Sequence, residues 1–240
     1  MFYNSEQWYD AIYSWKDYAA EAQKLSAIIA ANKATSGRTF LDVACGTGGH
    51  IAYLQDRFDI EGLDLDPRML DIAKEKFPTT AFHLGNMVDF DLGRQFDVVA
   101  SLFSSIGYAV TPERMVQAVR TMAHHLRPGG VLIIEPYFAP DDWKPKSGPP
   151  KPSVAKTDAA TIVRMVDWVR DGNVIRSTFH YLVGDRDHVE HITEQHDMGL
   201  FTDGDIRGAF VDAGLSVTFD ADGLMGRGLY VGTKLEALDG

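Results

Sequence analysis

The chain has 240 residues, enough for one large domain or a domain carrying an insert. Its net charge of −11 repels a phosphate backbone, and with no Lys/Arg run to mark a basic groove, nucleic acid is set aside as a substrate. No apolar run reaches bilayer-spanning length, the first residues lack the pattern of a signal peptide, and a single cysteine excludes an internal disulfide, so a cytoplasmic setting is expected.

Residues 5–31 combine helix formers with apolar positions at helical spacing, and residues 1–35 read as an N-terminal helical lid. Thr39–Ala44 reads as a first strand, Gly49–Phe58 as a helix and Ile60–Asp64 as a second strand. Pro67 opens a helix with Asp66 as its cap. Thr80–Leu84 is a third strand, and the apolar run Phe96–Phe103 fits a buried central strand. Pro112–Leu126 is a helix stopped by Pro128-Gly129-Gly130, and Val131–Glu135 is a fifth strand. This alternation predicts an α/β fold with a doubly wound, mostly parallel sheet. The pattern breaks after Glu135. Residues 136–152 hold six of the ten prolines and read as a loop. Three β-like runs follow, Thr161–Val169, Val174–Val183 and His188–Leu200. Asp171-Gly172-Asn173 and Asp185-Arg186-Asp187 separate them as hairpin turns, so 137–200 is expected to be a loop plus an antiparallel insert over the mouth of the site. Asp203–Ala213 is a helix capped by Thr202. Leu215–Phe219 and Gly228–Thr233 complete a seven-stranded sheet in a single domain, 1–240, and 235–240 is expected to fray.

The chemistry concentrates in Leu41-Asp42-Val43-Ala44-Cys45-Gly46-Thr47-Gly48-Gly49, a strand running into a glycine turn. Gly46 and Gly48 can take positive φ and let a ligand lie against the backbone. Asp64 follows Gly46 by eighteen positions, near the spacing at which an acid meets ribose hydroxyls. Gly-x-Gly-Gly lacks the third glycine of a pyrophosphate site, so NAD or FAD fits less well than S-adenosylmethionine, which carries adenosine and a methionine tail but no phosphate. The string resembles motif I of the class I S-adenosylmethionine-dependent methyltransferases, of which Asp42 is a further mark. A tight turn in another α/β enzyme is the plainer alternative. Cys45 has no evident base beside it and reads as a small residue filling the turn rather than a nucleophile.

Ligands in such sheets bind beyond the carboxyl ends of the strands. Ala44–Gly49, Asp64–Met69, Gly85–Phe90 and Phe103–Ala109 therefore ring one crevice. Candidate cofactor residues are Ala44, Gly46, Thr47, Gly48, Asp64, Leu65, Asn86, Met87 and Phe103. Met87 suits an adenine face or an ordinary buried position equally. Asn86 stands where many methyltransferases have an acid that accepts the adenine amino group, and its carbonyl can accept the same bond, with Asp89 as the fallback. Methyl transfer is an in-line displacement, so the enzyme must align its reactants and exclude water, and an amine must arrive neutral.

Four further strings narrow the resemblance. They are Trp8-Tyr9-Asp10-x-x-Tyr13 with Lys16-Asp17-Tyr18-Ala19-Ala20-Glu21-Ala22, Phe103-Ser104-Ser105-Ile106-Gly107, His188-Val189-Glu190-His191, and Gly226-Arg227-Gly228-Leu229-Tyr230-Val231-Gly232. Together they resemble the nucleotide-linked amino-sugar N,N-dimethyltransferases of macrolide biosynthesis, the desosamine and mycaminose type, over nearly the whole chain. That resemblance implies a Rossmann-like class I fold with the same insert, a homodimer, and two successive methylations of the amino group of a TDP-linked deoxysugar. By position it puts Tyr13 near the amine, Tyr18 near the cofactor's methionine end and Arg227 on the nucleotide phosphates, a fitting partner for a guanidinium fork.

This chain departs from the family at Tyr108, where histidine is expected. A tyrosine with a pKa of about 10 mostly orients by hydrogen bonding. Tyr13 and Tyr108 are accordingly the candidate catalytic residues, forming with Arg227 the substrate side, and their rings suit a cationic product. The segment before Lys16 also looks shorter than in the relatives.

Other readings compete with these. His188, Glu190 and His191 suggest a metal, but His188 and Glu190 point to one face of a strand and His191 to the other, so no metal is expected. His124 and His125 read as solvated at a helix end, Trp8 and Tyr9 as core packing, and Arg227 alternatively as a surface ion-pair partner. Methylation of another small amine, such as an amino acid or polyamine, is the competing activity. A cofactor-binding regulator is the non-catalytic alternative.

Overall fold

In a computed structural model, which describes residues 5–145 and 147–235, seven strands form one sheet in the order β10-β11-β5-β4-β1-β2-β3. They are β1 (Thr39–Val43), β2 (Asp59–Asp64), β3 (Phe82–Leu84), β4 (Phe96–Ser101), β5 (Leu126–Ile134), β10 (Leu215–Asp220) and β11 (Leu229–Lys234). β1 to β5 run parallel, while β11 is antiparallel to β5 and β10 to β11. The chain reverses its direction of winding between β1 and β4, and a crevice opens there at the carboxyl ends.

Period-two alternation splits the sheet into two cores. On one face Leu41, Val99, Leu132 and Ile134 pack against α5 (Pro112–His124) and α6 (Asp203–Asp212) through Met115, Met122 and Phe210. On the other, Phe40, Val98, Val131 and Ile133 pack against Leu25 and Ile29 of α2 (Tyr18–Asn32), and against α3 (Ile51–Leu54) and α4 (Pro67–Lys76). Caps fix where these helices begin. Asp66 accepts from the Arg68 N–H, Thr111 from the Arg114 N–H, and Thr202 forms a reciprocal capping box with Asp205.

Several elements differ from the sequence reading. Residues 5–31 do not form one helix. A 3₁₀ turn (Glu6–Trp8) leads into α1 (Tyr9–Ile12), the chain breaks over Tyr13–Asp17, and α2 restarts with Asp17 capping the Ala20 N–H. The helix expected over Gly49–Phe58 is only α3, because its first residues are spent in the glycine turn. β5 begins before Pro128-Gly129-Gly130. Leu126 pairs with Phe96 and Val131 with Val98, so the Pro-Gly-Gly stretch is looped out as a bulge within the strand.

The insert has four strands, one more than expected: β6 (Ser153–Lys156), β7 (Thr161–Asp171), β8 (Val174–Gly184) and β9 (Val189–Gly199), antiparallel throughout. β6 was missed because it follows directly on the prolines. A small third core joins the insert to the N-terminal segment, with Ile12, Ile162, Tyr181 and Val183 buried beside Trp8 and Tyr13. The segment is also strapped down at three points. Ser5 donates to Glu194 of β9 at 3.1 Å, Glu6 pairs with Arg68 of α4 at 3.1 Å, and Asp10 accepts from Thr47 at 2.6 Å while pairing with Lys76 at 2.7 Å. The expected frayed tail, apart from Leu235, lies outside the described residues.

Asp42 is buried on β1, beneath the site. Burial, and then the charge of Asp64, pushes its carboxyl up to about 8. The folded chain thus keeps a proton that the unfolded chain has lost, from the ordinary carboxylate range up to about pH 8, and stability falls as pH rises through that window. Asp42→Asn is expected to melt roughly 5 °C or more above wild type at about pH 8 and to lose that advantage toward about pH 4, as read by thermal denaturation.

Candidate active site

The glycine turn is held by the acid that the sequence places opposite it. Asp64, at the tip of β2, accepts the Gly46 N–H at 2.7 Å on one oxygen and the Asp66 N–H at 2.9 Å on the other. Burial pushes the Asp64 carboxyl above its usual range despite these bonds. Ala44, Gly46 and Gly48 take φ of +62°, +55° and +81°, the left-handed region that Gly enters without strain. A Cβ on Gly46 would meet nothing within 4 Å, so ligand space opens above it. A Cβ on Gly49 would lie 2.6 Å from the Tyr18 ring, so that ring roofs the turn. The turn, the acid beside it and the aromatic roof fit an adenosyl sulfonium cofactor with no phosphate to bind.

The other expected cofactor residues surround this turn. Thr47 is buried with its hydroxyl on Asp10. Leu65 is exposed beside Asp64. The Asn86 side-chain oxygen accepts the Val88 N–H at 3.1 Å and keeps one lone pair for another donor. Met87 is half-buried against the core. Tyr18 stacks edge-on to His50 at 4.9 Å, and His50 hydrogen-bonds Glu21 at 2.8 Å while Lys16 pairs with the other Glu21 oxygen. Burial works against the Glu21 charge, but His50 and Lys16 hold its carboxyl below the usual range.

Tyr13 and Arg227, two of the expected substrate residues, meet at Phe103. Phe103 and Ser104 take φ of +52° and +63°, strained for residues with side chains. The Phe103 N–H donates to the Glu135 carboxylate at 2.6 Å, and the Ser104 hydroxyl donates to the Pro136 carbonyl at 2.8 Å. Glu135 is fully buried, and burial pushes its carboxyl up. Around the Phe103 ring lie Tyr13, edge-on at 5.3 Å, the Lys16 ammonium at 4.4 Å and the Arg227 guanidinium at 5.9 Å. Arg227 also donates to Ser104 Oγ at 2.8 Å, which fixes the guanidinium beside Phe103.

Tyr108 sits on a 3₁₀ turn (Ser105–Ala109), half out in solvent, with its hydroxyl 2.9 Å from Nδ1 of His196 on β9. Tyr9, expected as core packing, packs against Tyr13 with ring centres 4.6 Å apart and planes tilted by 49°. Burial raises its phenol well above the usual range, and the charges of Tyr13, Tyr18, Tyr108 and Asp64 add to that.

Sequence reading missed Lys16, Glu21, His50, Glu135 and His196 as site residues. Glu135 carried a signal, a lone carboxylate closing an apolar strand. His50 carried none, since Glu21 lies 29 positions away, and nothing in the sequence joins His196 to Tyr108, 88 positions away. His125 requires a correction: it is buried rather than solvated, with Nδ1 on the Thr121 carbonyl and Nε2 accepting the Leu92 N–H. His188 pairs with Asp185, and His191 with His180.

A methyltransferase domain family matches residues 40–130. The chain is 39% identical over 228 residues to the dTDP-3-amino-3,4,6-trideoxy-alpha-D-glucopyranose N,N-dimethyltransferase of Streptomyces venezuelae, covering 93% of this chain and 95% of that protein. The crystal structure of Streptomyces venezuelae DesVI superposes with a TM-score of 0.89 at 37% identity, covering 97% of this chain and 99% of that one. The SAM-bound amino pentose methyltransferase from Micromonospora echinaspora involved in calicheamicin biosynthesis superposes at 0.83 with 33% identity, covering 98% of each chain. With a glycine turn and acid that fit S-adenosylmethionine, and with these relatives along its whole length, the chain belongs to the S-adenosylmethionine-dependent sugar N-methyltransferases of the class I fold.

Proposed function

We propose that the protein methylates the amino group of a TDP-linked deoxy amino sugar, twice in succession, to give the N,N-dimethyl product. The observation that carries this reading is the shared ring of Phe103, with the Tyr13 phenol on one side and the Arg227 guanidinium on another. A sugar nucleotide has an amine at one end and two phosphates a sugar's length away, and this pairing offers a polar aromatic group for the first and a forked cation for the second. Bound S-adenosylmethionine supplies an electrophilic methyl for in-line transfer. The chain's own groups then have distinct duties. The glycine turn and Asp64 hold the adenosyl ribose, and Tyr18 covers the methionine end. Tyr13 and Tyr108 orient the amine, and the N-terminal segment with the insert excludes water. The relatives' activities on dTDP-amino sugars support this reading.

The enzyme is further proposed to be a cytoplasmic homodimer. Its lone cysteine, Cys45, is a buried free thiol, and the insert exposes Met165, Val169, Leu182 and Val189, apolar surface suited to a second copy. Among the described residues no helix is long and apolar enough to cross a membrane.

Incubation with S-adenosylmethionine and dTDP-3-amino deoxysugars, followed by mass spectrometry, is expected to show gain of one and then two methyl groups; turnover only of amines without a nucleotide would reject the reading. Arg227→Ala is expected to raise the sugar-nucleotide KM by roughly 10- to 100-fold, the worth of charged hydrogen bonds to phosphate, with S-adenosylhomocysteine affinity within about twofold by calorimetry. Tyr13→Phe is expected to lower kcat about tenfold with cofactor affinity unchanged, as measured by steady-state kinetics.

A further inference from the structure

An ammonium must lose a proton before it can accept a methyl, and a substrate methylated twice must do so twice. A phenol alone accepts that proton poorly near neutral pH. Behind the Tyr108 phenol, however, stands an imidazole backed by a carboxylate. Tyr108 is 40% exposed, so the phenol is within reach of solvent and of a bound molecule. Its oxygen lies 2.9 Å from His196 Nδ1, and the two rings are 5.9 Å apart. The His196 side chain is only 9% exposed, and its Nε2 faces Glu194 Oε2 at 3.6 Å. The Glu194 side chain is 4% exposed and accepts the Ser5 hydroxyl at 3.1 Å. Exposure thus falls along a line from phenol to imidazole to carboxylate.

The surroundings suit a charge that comes and goes. From β8 the Phe179 ring packs edge-on against the imidazole at 4.8 Å, and Ser177 stands opposite it in register. On its own strand the neighbouring Asp197 is held by Arg176 through two bonds of 2.8 Å. Glu194 is therefore the acid set against the Nε2 edge. The turn that carries Tyr108 packs directly on β9, which carries His196.

We propose that His196, acting through the Tyr108 hydroxyl, accepts the proton that the substrate ammonium sheds. The inference rests on the amine-methylation reading above. In its resting form His196 carries its proton on Nε2, toward Glu194, and offers the Nδ1 lone pair to the Tyr108 O–H. The ammonium N–H bond breaks and its electron pair stays on nitrogen. The proton bonds to Tyr108 Oη as the Tyr108 proton passes to His196 Nδ1. The imidazolium that forms faces the Glu194 carboxylate. The proton returns to solvent by the reverse path through the exposed phenol, which readies the pair for the second methylation. His196 never touches the substrate, so its role is to take up charge behind Tyr108.

The test compares wild type with His196→Asn and Tyr108→Phe. The measurements are kcat against pH with a dTDP-3-amino deoxysugar, S-adenosylhomocysteine affinity by calorimetry, and the ¹⁵N resonances of His196 in the free protein. Wild type is expected to lose kcat through one ionisation on the acid side. Both variants are expected to lose that ionisation, to show kcat about 100-fold lower near neutral pH, and to accumulate the monomethyl product, with cofactor affinity unchanged. Tyr108→Phe should also shift the His196 Nδ1 resonance, and should decide the matter if His196→Asn does not fold. The relay alone is overturned if wild type turns over while the variants keep its acid limb, or keep kcat within about twofold. If wild type methylates no nucleotide-linked amine, the reading beneath it falls as well.

Discussion

The cluster of side chains at the end of β4 hangs on the hydrogen bond from the Phe103 N–H to the buried Glu135 carboxylate. Two consecutive side-chain-bearing residues in left-handed backbone cost about 1–3 kcal/mol each. Charge-assisted bonds of about 1.5–3 kcal/mol, with the Ser104 bonds beside them, are of the size needed to hold such a turn. In this conformation the Phe103 ring stands at the end of β4, where Tyr13, Lys16 and Arg227 reach it from three separate parts of the chain. Without the anchor at Glu135, those three side chains would share no common surface. Burial opposes the Glu135 charge, so the two cations nearby, Lys16 and Arg227, help to keep it ionised as well as serving the pocket.

The cofactor side is built differently. Its turn sits between adjacent parallel strands in fixed register, with Val43 beside Leu63, and Asp64 closes the gap by binding the backbone of the turn itself. The Lys16–Glu21–His50 network then sets the roof, because it anchors the first turn of α2, from which Tyr18 projects over Gly49. The glycine turn is thus framed by the sheet, and the surroundings of Phe103 by elements laid over that sheet.

This division explains what could be read in advance. The alternation of strands and helices, the caps at Asp66 and Thr202, and the glycine turn with Asp64 are local patterns whose physics lies within a few residues, and they were legible in the sequence. β6 was hidden by the prolines before it, and the break at Tyr13–Asp17 by good helix formers on both sides. Side-chain partners were harder still. Asp64 was expected to face a ribose, and its bonds to the Gly46 and Asp66 amides are added to that expectation. His125 looked solvated because the sequence does not reveal that the Leu92 amide folds onto it. Tyr108 stood out as a departure, but the histidine behind it, 88 positions on, becomes visible only once β9 packs on the turn that carries Tyr108.

Besides its apolar packing on the insert, the N-terminal segment is fastened by polar side chains: Ser5 on the insert, Glu6 on α4, and Asp10 on the glycine turn and Lys76. One short stretch therefore ties the glycine turn, α4 and the insert together. Asp10 holds Thr47 in the glycine turn itself, so that turn cannot shift without pulling on a strap whose other end is buried with Glu194 on β9.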